Sequence, residues 1–87
     1  MKIYSRLDEG KVIYESEKEN IKDVVIEARD KRSDLSNSDL SGSNLSNSDL
    51  FNSNLYHAKF YGRGGSTKIK KAQIESFLKA LGMIVEE

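Results

Sequence analysis

Large apolar residues fall at every fifth position through the middle of the chain: Leu35, Leu40, Leu45, Leu50, Leu55 and Phe60. Two positions before each stands a small residue, Ser33, Ser38, Ser43, Ser48, Ser53 or Ala58. Ser33 to Gly62 therefore divides without gaps into six units: SDLSN, SDLSG, SNLSN, SDLFN, SNLYH and AKFYG. A period of five matches neither the helix (3.6), the strand (2) nor the heptad (3.5). Ser and Asn make up thirteen of the first twenty-five repeat residues, a composition that by itself reads as a linker. A linker has no use for a register, however, and six phased hydrophobes do. Fixed-period self-similarity predicts an ordered solenoid whose stacked units share one core.

The flanks follow different periods. Lys2–Leu7 and Val12–Glu17 are Ile/Val/Tyr-bearing runs joined by Asp8-Glu9-Gly10, which predicts a β-hairpin. Ile21, Val24, Val25 and Ala28 lie at i, i+3, i+4 and i+7, so a helix is expected over about Glu19–Lys31 with one buried face. Such a helix would lid the first coil. After Gly62-Arg63-Gly64-Gly65, read as an exit hinge, Lys70–Leu81 is expected to form an amphipathic helix. Its predicted buried face is Ile74, Phe77, Leu78 and Leu81, with Gly82 as the C′ residue. Met83-Ile84-Val85 is expected to be a final strand, pairing with the N-terminal hairpin. The expected organisation is one domain over 1–87: hairpin and cap helix over 1–32, repeats over 33–62, helix and strand over 63–87.

The six units resemble the pentapeptide-repeat family, whose motif is roughly A-[DN]-L-x-x, over thirty residues of eighty-seven. The resemblance implies a right-handed quadrilateral β-helix with one unit per side and four per coil. The Leu/Phe and the small residue two before it would point inward. The expected fold class is α+β, with about one and a half coils capped by the hairpin-helix and the helix-strand. Leu35 would then lie against Leu55 and Leu40 against Phe60, while Leu45 and Leu50 have no repeat partner and need the flanks to cover them. Five of the six small positions are Ser where the family favours Ala. Buried hydroxyls need partners, so these serines are expected to bond backbone carbonyls.

Composition narrows the chemistry. The chain of 87 residues is 37% hydrophobic and 32% charged, with 14 basic and 14 acidic groups and no cysteine or proline. Disulfides and thiolate metal sites are excluded. His57, the one histidine, has no nucleophile to pair with, and no metal-ligand spacing occurs. Asp34, Asp39 and Asp49 belong to three different sides of the expected coil and form no general acid/base pair. The glycine loop fails as a phosphate cradle, since Ser66 and Thr67 precede Lys68 instead of following it. No catalytic residue, cofactor or metal is therefore expected, and the chain reads as a non-enzyme. The Asn44-Leu45-Ser46 sequon is read as coincidence, because the N-terminus carries no secretion signal. No apolar run approaches ~18 residues, so the expected location is the cytoplasm, with no membrane partner.

Charge is unevenly spread. Residues 1–32 carry eight basic and eight acidic groups; 33–62 carry Asp34, Asp39 and Asp49 against Lys59, net −2; 63–87 carry five basic and three acidic groups, net +2. On the N-terminal helix, Glu19, Asp23, Glu27 and Asp30 share one stripe of about 80°, with Ile26 beside it. Phe51, Tyr56 and Tyr61 occupy the same outward position in units four, five and six. Members of the resembled family include DNA mimics that engage DNA gyrase. The resemblance thus implies a small phage or mobile-element inhibitor of a bacterial DNA-handling machine. Its partner would be of the CRISPR-effector (anti-CRISPR-like) or topoisomerase class. The acidic surface would be Glu19, Asp23, Glu27 and Asp30 with Asp34, Asp39 and Asp49. A gyrase-protection role is one alternative. The other is a structural or dimerising scaffold that uses Ile26, Phe51, Tyr56 or Tyr61. Direct nucleic-acid binding through Lys68, Lys70, Lys71 and Lys79 ranks last, because no basic stripe with interleaved aromatics accompanies them.

Overall fold

A computed structural model of the chain describes residues 1–50, 52–62 and 64–86. Strands β1 (Lys2–Ser5) and β2 (Val12–Glu15) form the hairpin, α1 spans Ile21–Asp30, and β3 is the short Ser38–Asp39. A 3₁₀ turn at Lys71–Gln73 leads into α2, Ile74–Ala80. Apart from the C-terminal strand, the predicted elements are present, each shorter than predicted. One antiparallel sheet runs β2-β1-β3, with Tyr4 opposite Asp39 and Ser5 opposite Ser38.

The repeats form a β-helix-like coil. Asp34 pairs in parallel with Asn54, and Asp39 with Lys59, each 20 residues further along. The Leu35 N–H donates to the Asn54 carbonyl (3.1 Å), Leu40 to Lys59 (2.8 Å), and Lys59 back to Ser38 (2.8 Å). Among the described repeat residues only Ser38–Asp39 is regular strand, through its pairing with β1; the rungs between coils are isolated bridges. Each unit ends in a turn closed from the apolar residue to the small one that opens the next unit. The N–H groups of Ser38, Ser43, Ser48, Ser53 and Ala58 donate to Leu35, Leu40, Leu45, Leu50 and Leu55 at 3.0–3.2 Å. The residue before each of these donors has positive φ: Asn37, Gly42, Asn47, Asn52 and His57 lie between 62° and 77°. A type II turn demands that conformation, which glycine and asparagine reach at least cost. Gly42 carries a second constraint, since a Cβ there would lie 1.8 Å from the Gly64 carbonyl oxygen.

The flanks complete the core. Leu45 has no unit above it, and Lys68 supplies the rung: Leu45 N–H donates to the Lys68 carbonyl and Lys68 N–H to that of Ser43, both at 2.8 Å. The offset here is 24 (68 − 44), because the turn closed by Gly65 N–H on the Gly62 carbonyl adds residues before the chain re-enters the ladder. Gln73 fills the next corner. Its side-chain nitrogen donates to the Leu45 and Ser48 carbonyls (both 2.7 Å), and its oxygen accepts from the N–H of Asn47 (3.1 Å) and Lys70 (2.6 Å). One buried amide side chain thus does the work of a strand edge. Ala80 accepts from the Leu55 N–H (2.9 Å), and Phe77 meets Phe60 edge to face at 4.9 Å between ring centroids. All five repeat leucines, with Ile3, Val24, Val25, Ala28 and Ala80, form one buried cluster. Leu45 and Leu50 are thus buried as fully as the rung-paired Leu35 and Leu55.

Three expectations need correction. Of the predicted inward face, Phe77 and Leu81 pack against the core, but Ile74 is 45% exposed and Gln73 of the 3₁₀ turn, with Ala80, is buried instead. The apolar pattern favoured Ile74, but the open rung demanded hydrogen bonds, and Gln73 occupies that side. Met83, Ile84 and Val85 form no strand and are exposed, and the sheet holds β1, β2 and β3 alone among the described residues. Ile26 is half-buried, where the helical wheel left it outside.

Both helices stop in the same way. Gly82 (φ 97°) donates to the Lys79 carbonyl and Met83 to Leu78, each at 3.0 Å, the paired bonds of a Schellman cap. At the end of α1 the equivalent bonds run from Arg32 to Arg29 (2.9 Å) and Ser33 to Ala28 (2.8 Å), with Arg32 forced to φ 55°. A left-handed arginine is strained by about 1 kcal/mol relative to glycine. Arg32→Gly is therefore expected to raise the thermal midpoint by a few degrees, read by circular dichroism.

Candidate functional site

The second position of four units explains itself locally. The Oδ1 atoms of Asp34, Asp39, Asn44 and Asn54 accept from the N–H two residues on, Ser36 (2.8 Å), Ser41 (3.0 Å), Ser46 (3.1 Å) and Tyr56 (3.2 Å). These are Asx turns, and Asp and Asn serve them equally. Hydrogen bonding by Ser36 holds the Asp34 carboxyl below its ordinary value of 3.8. For Asp39 the Ser41 hydroxyl dominates, with Lys59 and Arg6 adding smaller attractions. The repeat aspartates thus brace corners in addition to carrying charge.

A pH dependence follows. A carboxyl depressed in the fold contributes stability that is complete above its unfolded value and disappears as pH falls through the folded one. Stability is expected to drop as pH falls below about 4. The double change Asp34→Asn/Asp39→Asn keeps both turn acceptors. It should hold the pH 7 midpoint to within a few degrees and shrink the loss between pH 7 and pH 3, measured by thermal melts.

The remaining members of the acidic stripe are unequal. Glu27 accepts from the Ser16 hydroxyl, which lowers its pKa, and pairs with Lys31 at 3.3 Å. Arg29 pairs with Asp30 (2.9 Å) and with the Asp49 carboxylate (3.5 Å), and donates to the Asp49 carbonyl (2.6 Å). This guanidinium pins α1 across the coil and offsets two of the acids. Glu19, just before α1, and Asp23, in its first turn, are exposed and make no ion pair among the described residues.

Two inward serines meet the expectation: Ser38 and Ser48 donate to the Leu35 and Leu45 carbonyls, both at 2.5 Å. The Ser53 hydroxyl is buried without a partner among the described residues. Tyr56 is half exposed and its ring borders Gly82, where a Cβ would come within 3.1 Å of it. Met83 and Ile84 follow directly, 55% and 88% exposed, and Tyr61 is 76% exposed. Phe51 lies outside the described residues. His57 occupies a corner, where its carbonyl accepts from Arg6 (3.0 Å). Lys79 pairs with Glu75 at 3.1 Å, and Lys68 serves the ladder through its backbone. Among the described residues no group of three His, Cys, Asp or Glu side chains could hold a metal ion. No described helix is long and apolar enough to cross a membrane.

A family model described as pentapeptide repeats (8 copies) matches residues 31–62, beginning two residues before Ser33. Residues 31–62 are pentapeptide repeats. Searches of curated proteins and of solved structures gave no match. The pentapeptide repeats place Asp or Asn at the Asx turn, Leu in the core and Asn, Gly or His at the left-handed corner. That last position was readable in the sequence as Asn37, Gly42, Asn47, Asn52, His57 and Gly62, yet the apolar period drew attention away from it. Gln73 left no sequence signal, because its role exists only once the coil has an open rung.

Proposed function

We propose that this chain is a non-enzymatic, protein-binding scaffold that presents an apolar surface at the C-terminal end of its repeat coil. The coil reads as a right-handed quadrilateral β-helix of about one and a half turns, and the 20-residue offset of its bridges supports four units to the turn. One observation carries the binding reading: Tyr56, against Gly82, adjoins the exposed Met83 and Ile84. Exposed aromatic and Met side chains are enriched at protein interfaces. The regular polar positions, in contrast, are largely engaged in building corners.

The test uses the whole chain immobilised in bacterial lysate, at low and high salt. Tyr56→Ala and Ile84→Ser should each reduce retention of a specific protein severalfold, with little effect of salt. Retention unchanged by both substitutions would sink this assignment. A second reading, an inhibitor of a DNA-handling enzyme of the CRISPR-effector or topoisomerase class, draws support from Glu19 and Asp23, exposed and without an ion pair among the described residues. It predicts the opposite pattern: binding lost on Glu19→Lys/Asp23→Lys and steeply weakened by salt.

A further inference from the structure

Arg32 holds a conformation that does not suit it. It follows α1 at φ 55°, in the left-handed region that arginine enters only under strain. Glycine would close the same turn without that strain, as Gly42 does two corners further on. A cation beside a helix C-terminus offsets part of the strain, but Arg29 already occupies the last turn of α1. The Arg32 side chain is exposed and makes no hydrogen bond or ion pair among the described residues. The fold leaves its guanidinium unused.

The repeat register shows what stands beside it. Asp34 pairs with Asn54, and the residues two before them are Arg32 and Asn52, both left-handed (φ 55° and 67°). Arg32 therefore occupies the same corner as Asn52, one rung lower, with about 4.8 Å between the rungs. Arg29 keeps that register too, since it donates to the carbonyl of Asp49, twenty residues on. Both corner residues border one open depression of about 650 Å³, together with Ser33 and Asn54. The two acids of the depression, Asp30 and Asp49, are held by Arg29 at 2.9 and 3.5 Å. The groups left unengaged are mostly donors: the guanidinium fork of Arg32, the carboxamide of Asn52, the Ser33 hydroxyl, and the Nδ2 of Asn54, whose Oδ1 is committed to Tyr56.

We infer that this corner binds a carboxylate, with Arg32 as its principal contact and Asn52 and Asn54 as flanking donors. A guanidinium and a carboxylate match in a planar, two-bond pairing that lysine does not reproduce. Charge selects a carboxylate over a phosphate. Arg29 and Arg32 against Asp30 and Asp49 sum to zero around the depression, so a dianion gains little net attraction while meeting two acids. The helix end adds little repulsion, because the N–H groups of Lys31, Arg32 and Ser33 already cover the Glu27, Arg29 and Ala28 carbonyls. The carboxylate belongs to a free organic acid or to an acidic side chain of a protein, and both present the same group. The site is open to water, so the affinity is low, with Kd on the order of 10 mM. Nothing in this site depends on the apolar surface at Met83 and Ile84.

Left-handed corners make a clean test, because glycine keeps their backbone and removes only the side chain. The whole chain is titrated at constant ionic strength with acetate and, separately, with a capped tripeptide whose middle residue is aspartate. NMR follows the Arg32 Nε–H and the side-chain amides of Asn52 and Asn54. Saturating shifts are expected, and the tighter of the two probes names the source, free acid or protein. Arg32→Lys should weaken binding about fivefold, through loss of the fork. Asn52→Gly should weaken it about threefold, through loss of one donor. Arg32→Gly should abolish binding while raising the thermal midpoint, an opposition that a purely structural arginine does not produce. Shifts still linear at 100 mM (roughly ten times that Kd), inorganic phosphate bound more tightly than either carboxylate, or binding retained by Arg32→Gly would each overturn the proposal.

Discussion

Gln73→Ala is expected to destabilise the protein by about 3 kcal/mol and lower its thermal midpoint by roughly 15 °C. The side chain occupies a buried corner and makes four short contacts, to the carbonyls of Leu45 and Ser48 and the N–H groups of Asn47 and Lys70. Removing it strips two buried carbonyls of their donor and two amides of their acceptor. Gln73→Glu separates these halves. The acceptor survives while both donors are lost and a negative charge faces two carbonyl oxygens, so the loss should be nearly as large at pH 7. The control is the neighbouring Ile74→Ala, at an exposed position, expected to cost less than ~0.5 kcal/mol. Urea melts of the three variants decide between the two helix faces. Ile74 proving more costly than Gln73 would restore the face that hydrophobic periodicity alone favours.

Leu45→Ala is expected to cost about 3 kcal/mol, as much as Leu35→Ala. The comparison matters because their neighbours differ in kind. Leu35 bonds to Asn54 within the pentapeptide repeats, whereas Leu45 bonds to Lys68, beyond them. Both leucines are fully buried. Were the C-terminal flank a tail laid on a finished coil, Leu45 could relax outward and its truncation would be cheap. Urea melts of the two variants measure this. Leu45→Ala and Gln73→Ala should also couple, since the Gln73 amide is bonded to the Leu45 carbonyl. Their combined cost should fall short of the sum by 0.5 kcal/mol or more.

Much of this fold was legible in the sequence, for physical reasons particular to each part. A five-residue apolar period has few structural solutions, so Leu35 to Phe60 announced a coil. Counting units then showed Leu45 and Leu50 to be uncovered, and the flanks do cover them. Gly82 was legible because a left-handed helix end favours glycine, and it forms that cap. Arg32 was not, because arginine carries no such signal and takes φ 55° only under the pull of the following coil. Ile74 misled because hydrophobic pattern ranks positions by transfer energy, while an open rung selects for donors and acceptors. Met83 to Val85 carried strand propensity, but the Met83 N–H is spent on capping α2, at the Leu78 carbonyl, and the segment joins no sheet.

The candidate surface was less legible. The acidic stripe on α1 is a true feature of the helix, but Lys31 and Arg29 balance Glu27, Asp30 and Asp49. Arg29 reaches Asp49 twenty residues away, a pairing no helical wheel contains. Asp34 and Asp39 looked like surface charge and are also turn braces. Tyr56 was legible from its repeat position, but Met83 and Ile84, which follow the Gly82 it borders, read as a strand. A surface assembled from two distant segments becomes visible only when the chain is folded.

The central claim is that pentapeptide repeats and flanks form one cooperative structure, the flanks supplying rungs the repeats lack. Native-state amide hydrogen exchange, followed residue by residue by NMR across a low-denaturant series, tests it most directly. The N–H groups of Leu35 and Leu40 bond within the repeats, to Asn54 and Lys59; those of Leu45 and Leu55 bond to Lys68 and Ala80 in the C-terminal flank. All four should exchange with one opening free energy and one denaturant slope, equal to those of global unfolding. Leu45 and Leu55 exchanging early, with little denaturant dependence while Leu35 and Leu40 stay protected, would contradict it.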